Sequence, residues 1–479
     1  MKKKSFMLLF LVACFIVCII PSAGMIMFKS DELVGNEQKT EFPSFVTEEN
    51  SFNQDVFEQM GTYFEKHFAF RPYIISLDAE IQSNAFGVSN LDTVIVGKDD
   101  WLYYSSTLND YLGKDTMSDR QLDNIAHNLK LTQDYVQSFN SKFLFTVAPN
   151  KNSLYPQYMP YYYSQKASDT KNIQKLTPIL SDYGINYCDL FTVFENQSEE
   201  LYLKQDSHWN NKGALIAYNT ILDTIKKPHD NYENAQVTRT KDFYGDLSNM
   251  LYPKTATPEY NYNYKSDLSF DYTTPTKSVE DATISTHCSS ADGTLYMYRD
   301  SFGNSLLPFF ATAYEQAHFT KGFPINIALS MNTKSPDTVI FEIVERNLNW
   351  FAENPPVFAN PRLTLYTIAD TMDCAVDIKA EISQINMSYI KISGELPKEA
   401  QSSNCDIFVE LTDKNSNKAL YEAFHTSSDT SDYCFEVYVP SDSFITDSER
   451  NISASIVTKV DSKLSKIGSA NVTVAQPQI

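Results

Sequence analysis

Two short segments of the chain carry residue types that together could perform nucleophilic catalysis. Asp206 and His208 are two positions apart in the segment QDSHWNN, and Ser301 lies in the segment YRDSFGN. A serine hydroxyl becomes an effective nucleophile when a histidine takes its proton and a carboxylate holds the other ring nitrogen. Residues two apart in extended backbone point to the same side, so Asp206 and His208 can share a hydrogen bond, with Trp209 shielding it from water. The combination predicts acyl chemistry on Ser301.

Each segment alone also has a plain structural interpretation. A serine before a helix is a common N-cap, and an Asp-x-His sequence is common in surface loops. The chain contains only seven histidines, and the other six lack an equally suggestive setting. The two segments together therefore favour a catalytic interpretation more strongly than either does alone.

The elements around Ser301 predict where its side chain lies. The pattern predicts a strand at Thr294–Tyr298 and a helix at Ser305–Tyr314. Ser301 then follows the carboxyl end of a strand and precedes a helix, where open α/β sheets bind ligands. Backbone N–H groups at a helix N-terminus lack partners and can stabilise an oxyanion, and Gly303 lets the backbone approach closely.

Strand and helix patterns alternate through the middle of the chain. Buried strands are predicted at Phe143–Val147 and Thr338–Ile343, and a shorter one at Ile185–Tyr187. Helical spacing of apolar residues covers Leu122–Phe139 and Gly213–Ile225. Strands separated by helices predict an α/β fold with a mainly parallel sheet flanked by helices on both faces.

Composition divides the chain into four parts. Residues 1–29 are largely apolar, 30–50 are polar and predict a tether, and 51–358 contain the α/β pattern. Within that domain, residues 230–290 have little periodicity, which predicts either an insertion that walls a substrate groove or an ordinary irregular excursion. Alternating apolar and polar residues predict an accessory all-β sandwich in 359–479, acting in carbohydrate binding or as a spacer.

The N-terminus predicts an extracytoplasmic location. Lys2, Lys3 and Lys4 precede an uncharged stretch, Ser5–Phe28, that is long enough for a membrane anchor. Positive charge before such a stretch places the N-terminus in the cytoplasm and the rest of the chain outside. Ser22-Ala23-Gly24 instead fits a signal-peptidase site, so the protein is expected either at the outer face of the cell membrane or secreted.

Charge and cysteine content exclude several classes of function. The formal net charge of −21 argues against a nucleic-acid partner, which would require Lys and Arg to neutralise phosphates. The seven cysteines form no CxxC pair, and neither a metal-ligand pattern nor a Gly-rich phosphate loop occurs. We expect no metal and no cofactor. Cys405 and Cys434 are interpreted as separate thiols or, alternatively, as one disulfide.

The two segments resemble a known family. The chain is similar to the alginate O-acetyltransferase-like group of SGNH-hydrolase relatives, in particular its DHHW branch, over roughly residues 55–350. DSHW at 206–209 resembles the DHHW signature with Ser207 in place of the first His. RDSF at 299–302 resembles a nucleophile segment that often contains Gly-Asp-Ser, with Arg299 in the Gly position. Other similar segments are HFAFR at 67–71, GKDDWLY at 97–103, APNK at 148–151, YPQYMP at 155–160, YGDL at 244–247, and PDTV at 336–339 followed by Glu342 and Arg346.

The resemblance implies an SGNH-hydrolase-like fold and a role in acetyl transfer. Such proteins are extracytoplasmic partners of a membrane-bound O-acyltransferase, which passes acetyl across the membrane. The serine takes the acetyl group and gives it to a hydroxyl of a cell-surface polysaccharide or teichoic-type polymer. By position, Asp206 orients His208, His208 is the base and Ser301 is the nucleophile.

The resemblance also implies further site residues. The backbone N–H groups of Ser301 and Phe302 are the oxyanion candidates. Asn150, Lys151 and Tyr155 are candidates for lining the pocket, with structural capping as the alternative. Two other functions stay open: a carbohydrate acetyl esterase using the same triad, and a non-catalytic protein for polysaccharide binding or assembly.

Overall fold

The computed structural model describes residues 2–25, 40–47, 50–232, 234–264, 268–413, 415, 417–445 and 450–475. The predicted tether, 30–50, lies outside these residues except for 40–47 and 50. Among the described residues, no helix combines the length and the apolar character needed to cross a membrane.

Helices occur mainly in the first three quarters of the chain. A π-helical turn, Gln82–Phe86, directly follows the third α-helix, Arg71–Ile81. The α-helices of the described residues are α1 (Lys2–Gly24), α2 (Val56–His67), α3 (Arg71–Ile81), α4 (Leu108–Tyr111), α5 (Asp119–Gln137), α6 (Lys151–Leu154), α7 (Asn172–Asp182), α8 (Leu190–Glu195), α9 (Asn211–Thr224), α10 (Asp246–Leu251), α11 (Gly303–Ala313), α12 (Ile327–Lys334) and α13 (Leu348–Glu353).

Strands occur from the first hairpin to the C-terminal region, where they replace helices after α13. In chain order they are β1 (Val94–Val96), β2 (Leu102–Tyr104), β3 (Lys142–Ala148), β4 (Tyr187–Cys188), β5 (Thr238–Phe243), β6 (Glu259–Asn263), β7 (Asp271–Tyr272), β8 (Thr283–His287), β9 (Thr294–Tyr298), β10 (Gln316–Thr320), β11 (Thr338–Val344), β12 (Arg362–Leu363), β13 (Ile368–Thr371), β14 (Ile378–Ile382), β15 (Tyr389–Glu395), β16 (Asp406–Thr412), β17 (Lys418–Glu422), β18 (Phe424–Ser428), β19 (Ser431–Pro440), β20 (Asn451–Val460) and β21 (Lys463–Thr473).

A seven-stranded sheet organises the first part of the molecule, in the order β4-β3-β11-β9-β10-β8-β7. The five strands from β4 to β10 are parallel, and β8 and β7 add to the edge antiparallel. The central strands are near-continuous apolar runs because both of their faces are covered, and every residue of β11 is buried. The expected mainly parallel α/β sheet is confirmed.

Alternate residues of the central strands face two different layers of helices. On β3, Phe143 and Phe145 pack with the apolar residues of α5 and α7, whereas Leu144 packs with those of α9 and α11. Helix α5 begins at a capping box in which Ser118 accepts from the N–H of Gln121, and the Gln121 side chain accepts from the N–H of Ser118. The sheet is therefore a buried middle layer whose carboxyl edge is open for a site.

The C-terminal strands form a sandwich of two sheets, which confirms the expected all-β region. One sheet has the order β12-β17-β16-β20-β21-β13, and the other has the order β14-β15-β19-β18. Apolar residues of both sheets, such as Ile392 and Val409, share one core. Cys405 and Cys434 are separate thiols.

Helix α5 joins the sandwich through buried polar contacts. Asn128 Nδ2 donates to the carbonyl of His425 at 2.7 Å, and the His425 N–H donates to Asn128 Oδ1 at 2.9 Å. The amide thus pairs with β18 as a neighbouring strand would. Two more contacts, from Arg120 to the Cys405 carbonyl and from Asn124 to the Asp432 carbonyl, lie beside it.

Candidate active site

Ser301 follows β9 in the middle of the parallel sheet. Strand β9 ends at Tyr298 and α11 begins at Gly303, so Ser301 lies in the short connection at the carboxyl edge of the sheet. Its side chain is half-buried and lines a cavity. This is the position predicted from the strand and helix patterns.

Asp206 and His208 lie in a tight loop before α9. Tyr202 and Trp209 form an isolated antiparallel bridge, and the N–H of Leu203 donates to the carbonyl of His208 at 3.2 Å. The loop between them is therefore closed at its base. Helix α9 starts directly after it, because Asn210 Oδ1 accepts from the Gly213 N–H at 2.9 Å and caps the helix.

The structure brings the three predicted residues into one hydrogen-bonded chain. His208 Nδ1 lies 2.7 Å from Asp206 Oδ1, and His208 Nε2 lies 2.8 Å from Ser301 Oγ. With Nδ1–H donating to Asp206, the Nε2 lone pair accepts the Ser301 hydroxyl proton. The geometry is that of a serine, its base and the carboxylate that orients the base.

Asp206 is held rigidly. Its Oδ1 also accepts from the N–H of His208 at 2.9 Å, and its Oδ2 accepts from the N–H of Asp246 at 2.8 Å. Burial raises the pKa of Asp206, but the hydrogen bond and charge of His208 and the two N–H groups outweigh burial and lower it. Asp206 is therefore ionised at neutral pH.

The electrostatics favour protonated His208. Burial lowers its pKa, but the carboxylates of Asp206, Asp246 and Asp300 raise it above the ordinary value of a histidine. An imidazole of raised pKa accepts a proton more readily, and the carboxylate of Asp206 stabilises the imidazolium that then forms.

Asp246 is a second acidic residue at the site that the sequence did not single out for catalysis. Its carboxylate accepts from the Ser207 N–H at 2.8 Å and from Ser207 Oγ at 2.6 Å, and Oδ2 lies 3.8 Å from His208 Nδ1. Burial and the charge of Asp206 raise the pKa of Asp246. Its position in YGDL, one of the family-like segments, was the available sequence signal.

Gly245 allows the loop carrying Asp206 to pack against the start of α10. A Cβ atom at this position would lie 2.2 Å from the Gln205 carbonyl oxygen and 2.8 Å from the Asp206 nitrogen. The backbone of Gly245 is extended, with φ −70° and ψ 149°, so the need for glycine is one of space rather than of dihedral angle.

The turn before Ser301 is stabilised by Asp300. Its Oδ1 accepts from the Phe302 N–H at 2.8 Å, and its Oδ2 accepts from the Val344 N–H at 2.7 Å. The Phe302 N–H, an expected oxyanion donor, is therefore already engaged, because the carboxylate two residues before it closes a local turn. The Ser301 N–H has no acceptor among the described residues and remains the candidate donor.

Arg299 stands where the family often has glycine, and it is not itself among the described residues that line the cavity. Its guanidinium is buried and donates to the Val279 carbonyl at 2.8 Å and to the Asn304 side chain. A Cβ on Gly303 would lie 2.7 Å from the Arg299 Cβ. The glycine that this turn requires is therefore at position 303, after Ser301, and not at position 299. Arg299 thereby fastens residues near 280 to the nucleophile turn.

The other predicted pocket residues lie behind the site, with one exception. Trp209 lines the cavity and packs edge-on against Phe302, with ring centroids 5.0 Å apart. Asn150 Nδ2 donates to Asp110, and the Tyr155 hydroxyl accepts from the N–H of Leu201, so neither faces the cavity. Both have the structural role that was the alternative.

Lys151 supports the catalytic loop from below. It is buried, and its Nζ donates to three carbonyls: Leu102 at 2.7 Å, Lys204 at 2.6 Å and Asp206 at 2.9 Å. Burial lowers the pKa of Lys151 to about 7, against the opposing effect of nearby carboxylates. Its structural role replaces the pocket-lining role that was one expectation.

A cavity of about 990 Å³ opens above Ser301 and His208. The β5–β6 hairpin and residues up to Glu280 form one wall, so the segment 230–290 borders the groove. Strands β7 and β8 of the same segment instead extend the main sheet. The volume is at the upper end of ligand pockets and accommodates more than an acetyl group.

Two groups of side chains in the described residues have the composition of metal ligands. One is Asp206, His208 and Asp246, in which His208 is already bonded on both ring nitrogens. The other is His127, Asp406 and His425, where His425 Nε2 accepts from the N–H of Ile407 at 3.0 Å. The ring proton of neutral His425 is then on Nδ1, so neither group presents a free set of lone pairs.

Comparison with known proteins agrees with the motifs. Residues 94–297 match the family described as "SGNH hydrolase-like domain, acetyltransferase AlgX". The chain is 28% identical over 169 residues to "Probable alginate O-acetylase AlgJ" of Pseudomonas syringae pv. tomato, covering 33% of this chain and 41% of the relative. It is 27% identical over 208 residues to the protein of the same name from Azotobacter vinelandii, covering 40% of this chain and 51% of that relative.

The match thus spans about half or less of these curated relatives' length. Among solved structures, Bacillus cereus PatB1 aligns with a TM-score of 0.44 and 18% identity, covering 53% of this chain and 96% of that chain. The family match over residues 94–297 and the two curated relatives confirm the resemblance inferred from the sequence motifs.

Proposed function

We propose, from the similarity of residues 94–297 to the SGNH hydrolase-like acetyltransferase family, that this protein is an extracytoplasmic O-acetyltransferase. It takes an acetyl group on Ser301 and transfers it to a hydroxyl of a cell-surface polysaccharide. The observation that carries the proposal is the unbroken contact from Asp206 through His208 to Ser301, at 2.7 and 2.8 Å.

In the first half-reaction Ser301 Oγ attacks the acetyl carbonyl of the donor. His208 Nε2 accepts the hydroxyl proton as the new C–O bond forms, and Asp206 stabilises the imidazolium. In this mechanism the Ser301 N–H donates to the oxyanion. As the tetrahedral intermediate collapses, the bond to the donor oxygen breaks and His208 returns the proton to that oxygen.

In the second half-reaction a sugar hydroxyl attacks the acetyl-Ser301 ester. His208 takes the proton of this hydroxyl and gives it to Ser301 Oγ when the ester bond breaks. The product is an acetylated sugar and a free serine. A cavity of about 990 Å³ beside Ser301 supports an acceptor much larger than water.

The donor and the location follow from the same proposal. A membrane-bound O-acyltransferase supplies the acetyl group at the outer face of the cell membrane. Lys2, Lys3 and Lys4 before the uncharged stretch Ser5–Phe28 support either anchoring there or export followed by cleavage.

The test uses the full chain with p-nitrophenyl acetate as an artificial donor. Wild type is expected to give a burst of nitrophenol and an acetyl group on Ser301 detected by peptide mass spectrometry. Ser301→Ala is expected to lose both. Ser305→Ala is the matched control. Ser305 lines the same cavity, but the hydroxyl that His208 Nε2 contacts is that of Ser301.

Adding oligosaccharides then separates the possible functions. Transfer of acetyl to the sugar at the expense of free acetate supports the transferase. Release of acetate alone, unaffected by sugars, would make the protein an acetyl esterase. Equal behaviour of wild type and Ser301→Ala, both folded, would favour a non-catalytic protein for polysaccharide binding or assembly.

A further inference from the structure

The cavity above Ser301 has an unbalanced set of charges. Its described lining contains four carboxylates, on Asp206, Asp242, Asp246 and Glu280, and one permanent cation, Arg346. The whole chain has a formal net charge of −21. A cleft lined by one sign of charge repels ligands of that sign.

Two of these carboxylates have partners that offset their charge. Asp206 is bonded to His208, and Glu280 lies 2.6 Å from the Lys321 ammonium. Asp242 and Asp246 have no Lys or Arg partner among the described residues; Asp242 is exposed, and Asp246 keeps 32% of its side-chain surface exposed. The groove therefore presents one carboxylate, Asp242, with no cation partner among the described residues, and a second, Asp246, whose partner is the His208 imidazole at 3.8 Å.

The single guanidinium does not reverse this sign. Arg346 lies over aromatic rings, 5.4 Å from the centroid of Tyr104 and 5.9 Å from that of Phe302. Three other cations, Lys212, Arg239 and Lys241, lie over tyrosine rings of the hairpin and are not among the lining residues. Lys212 is also paired with Glu199.

The remaining polar surface of the groove is uncharged. The far wall carries aromatic rings and amides, which can stack on the apolar faces of sugar rings and hydrogen-bond to hydroxyl groups. Tyr272 is 46% exposed at its rim. The wall residues of these kinds include Tyr262, Tyr264, Phe270, Tyr272, Asn211 and Asn261.

Resting on the proposed function, we propose that the acceptor is an uncharged glycan, and that polyuronates and other polyanionic polymers are rejected by Asp242 and Asp246. An anionic chain that occupied the groove would bring its carboxylates beside these two. Like charges facing each other across an interface weaken binding and act against the wrong partner. The rejection should be strongest at low ionic strength, because salt screens exposed charges.

The test measures binding separately from chemistry. Full-length Ser301→Ala is titrated calorimetrically with glucose oligomers and with glucuronate oligomers of the same linkage and length, at low and at high salt. We expect the glucose oligomers to bind at least about tenfold more tightly at low salt, and the difference to narrow as salt rises.

A pair of charge variants tests the assigned residues. Asp242→Lys, in the Ser301→Ala background, should strengthen binding of the glucuronate oligomers about tenfold and leave the glucose oligomers little changed. Asp370→Lys makes the same change in net charge on exposed β13 of the sandwich and should change neither. Equal gains from the two variants would contradict a local effect.

The outcomes distinguish this inference from the proposed function. Glucuronate oligomers that bind as well as glucose oligomers, or neither kind binding, would overturn the inference. If glucose oligomers bind selectively but wild type forms no acetyl-Ser301, the proposed function fails while the preference of the groove stands.

Discussion

Gly245→Ala tests whether the loop carrying Asp206 must be positioned to within about an ångström. The added Cβ would lie 2.2 Å from the Gln205 carbonyl oxygen, whereas ordinary contact begins at 3.4 Å. The two backbones must therefore separate by about 1.2 Å. The dihedral angles of Gly245 suit alanine, so this contact is the source of the effect.

The separation acts directly on the triad. The residue after Gly245 donates its N–H to Asp206 Oδ2 at 2.8 Å, and the Ser248 N–H donates to the Gln205 carbonyl at 3.0 Å. A misplacement of about 1 Å in a catalytic group costs on the order of 100-fold in rate. We expect that loss in acetyl-enzyme formation, with a free energy of unfolding lower by about 1–3 kcal/mol.

The assay compares the burst rate with p-nitrophenyl acetate and the unfolding curve in urea for wild type and two variants. Gly61→Ala is the matched control, because Gly61 is exposed on α2 and its Cβ would meet nothing within 4 Å. The control should keep full activity. A fully active and equally stable Gly245→Ala protein would refute the argument that this glycine positions Asp206.

Three other variants test separate parts of the structure. Asp206→Asn should lower kcat by about 10³- to 10⁴-fold with little change in KM, since the amide no longer holds the reactive tautomer of His208; a loss below tenfold would exclude this role. The rate of wild type should rise with pH as His208 loses its proton, and the pH at which it rises should lie above the usual histidine range. In Asp246→Asn the rise should move to lower pH, because the Asp246 carboxylate raises the pKa of His208. A pH–rate profile that does not move would contradict this coupling. Asn128→Ala should lower the free energy of unfolding by about 2–4 kcal/mol, since it leaves two buried backbone groups of His425 without partners. The burst rate should be unchanged. Denaturation curves that coincide with wild type would show that the contact between α5 and β18 adds nothing to stability.

The main strands and helices were predictable because their apolar periodicity is local. Strand β9 has the predicted bounds, Thr294–Tyr298, and β11 extends the predicted Thr338–Ile343 by one residue. Helix α11 begins at Gly303, two residues earlier than predicted, because the turn that Asp300 closes with the Phe302 N–H leads directly into it. Boundaries depend on such capping contacts, which periodicity does not encode.

The region 230–290 was harder to interpret because its structure depends on distant partners. Strand β8 belongs to the main sheet because it pairs with β10, some thirty residues further along the chain. Asp246 reaches the site because Gly245 packs against Gln205. Neither contact leaves a repeating pattern in the sequence.

The residue types settled which chemistry was possible. A serine after a buried strand, with a histidine and an aspartate two apart elsewhere, predicted acyl chemistry because each step of that chemistry requires those side chains. The tertiary structure decided which groups meet. The contact between His208 and Ser301, 93 positions apart, and the burial of Lys151 beneath the loop arise from the packing of strands and helices around them. Hydrogen bonds and pKa values depend on the distances between groups and on their burial. Those distances and that burial exist only once the fold has brought remote residues together.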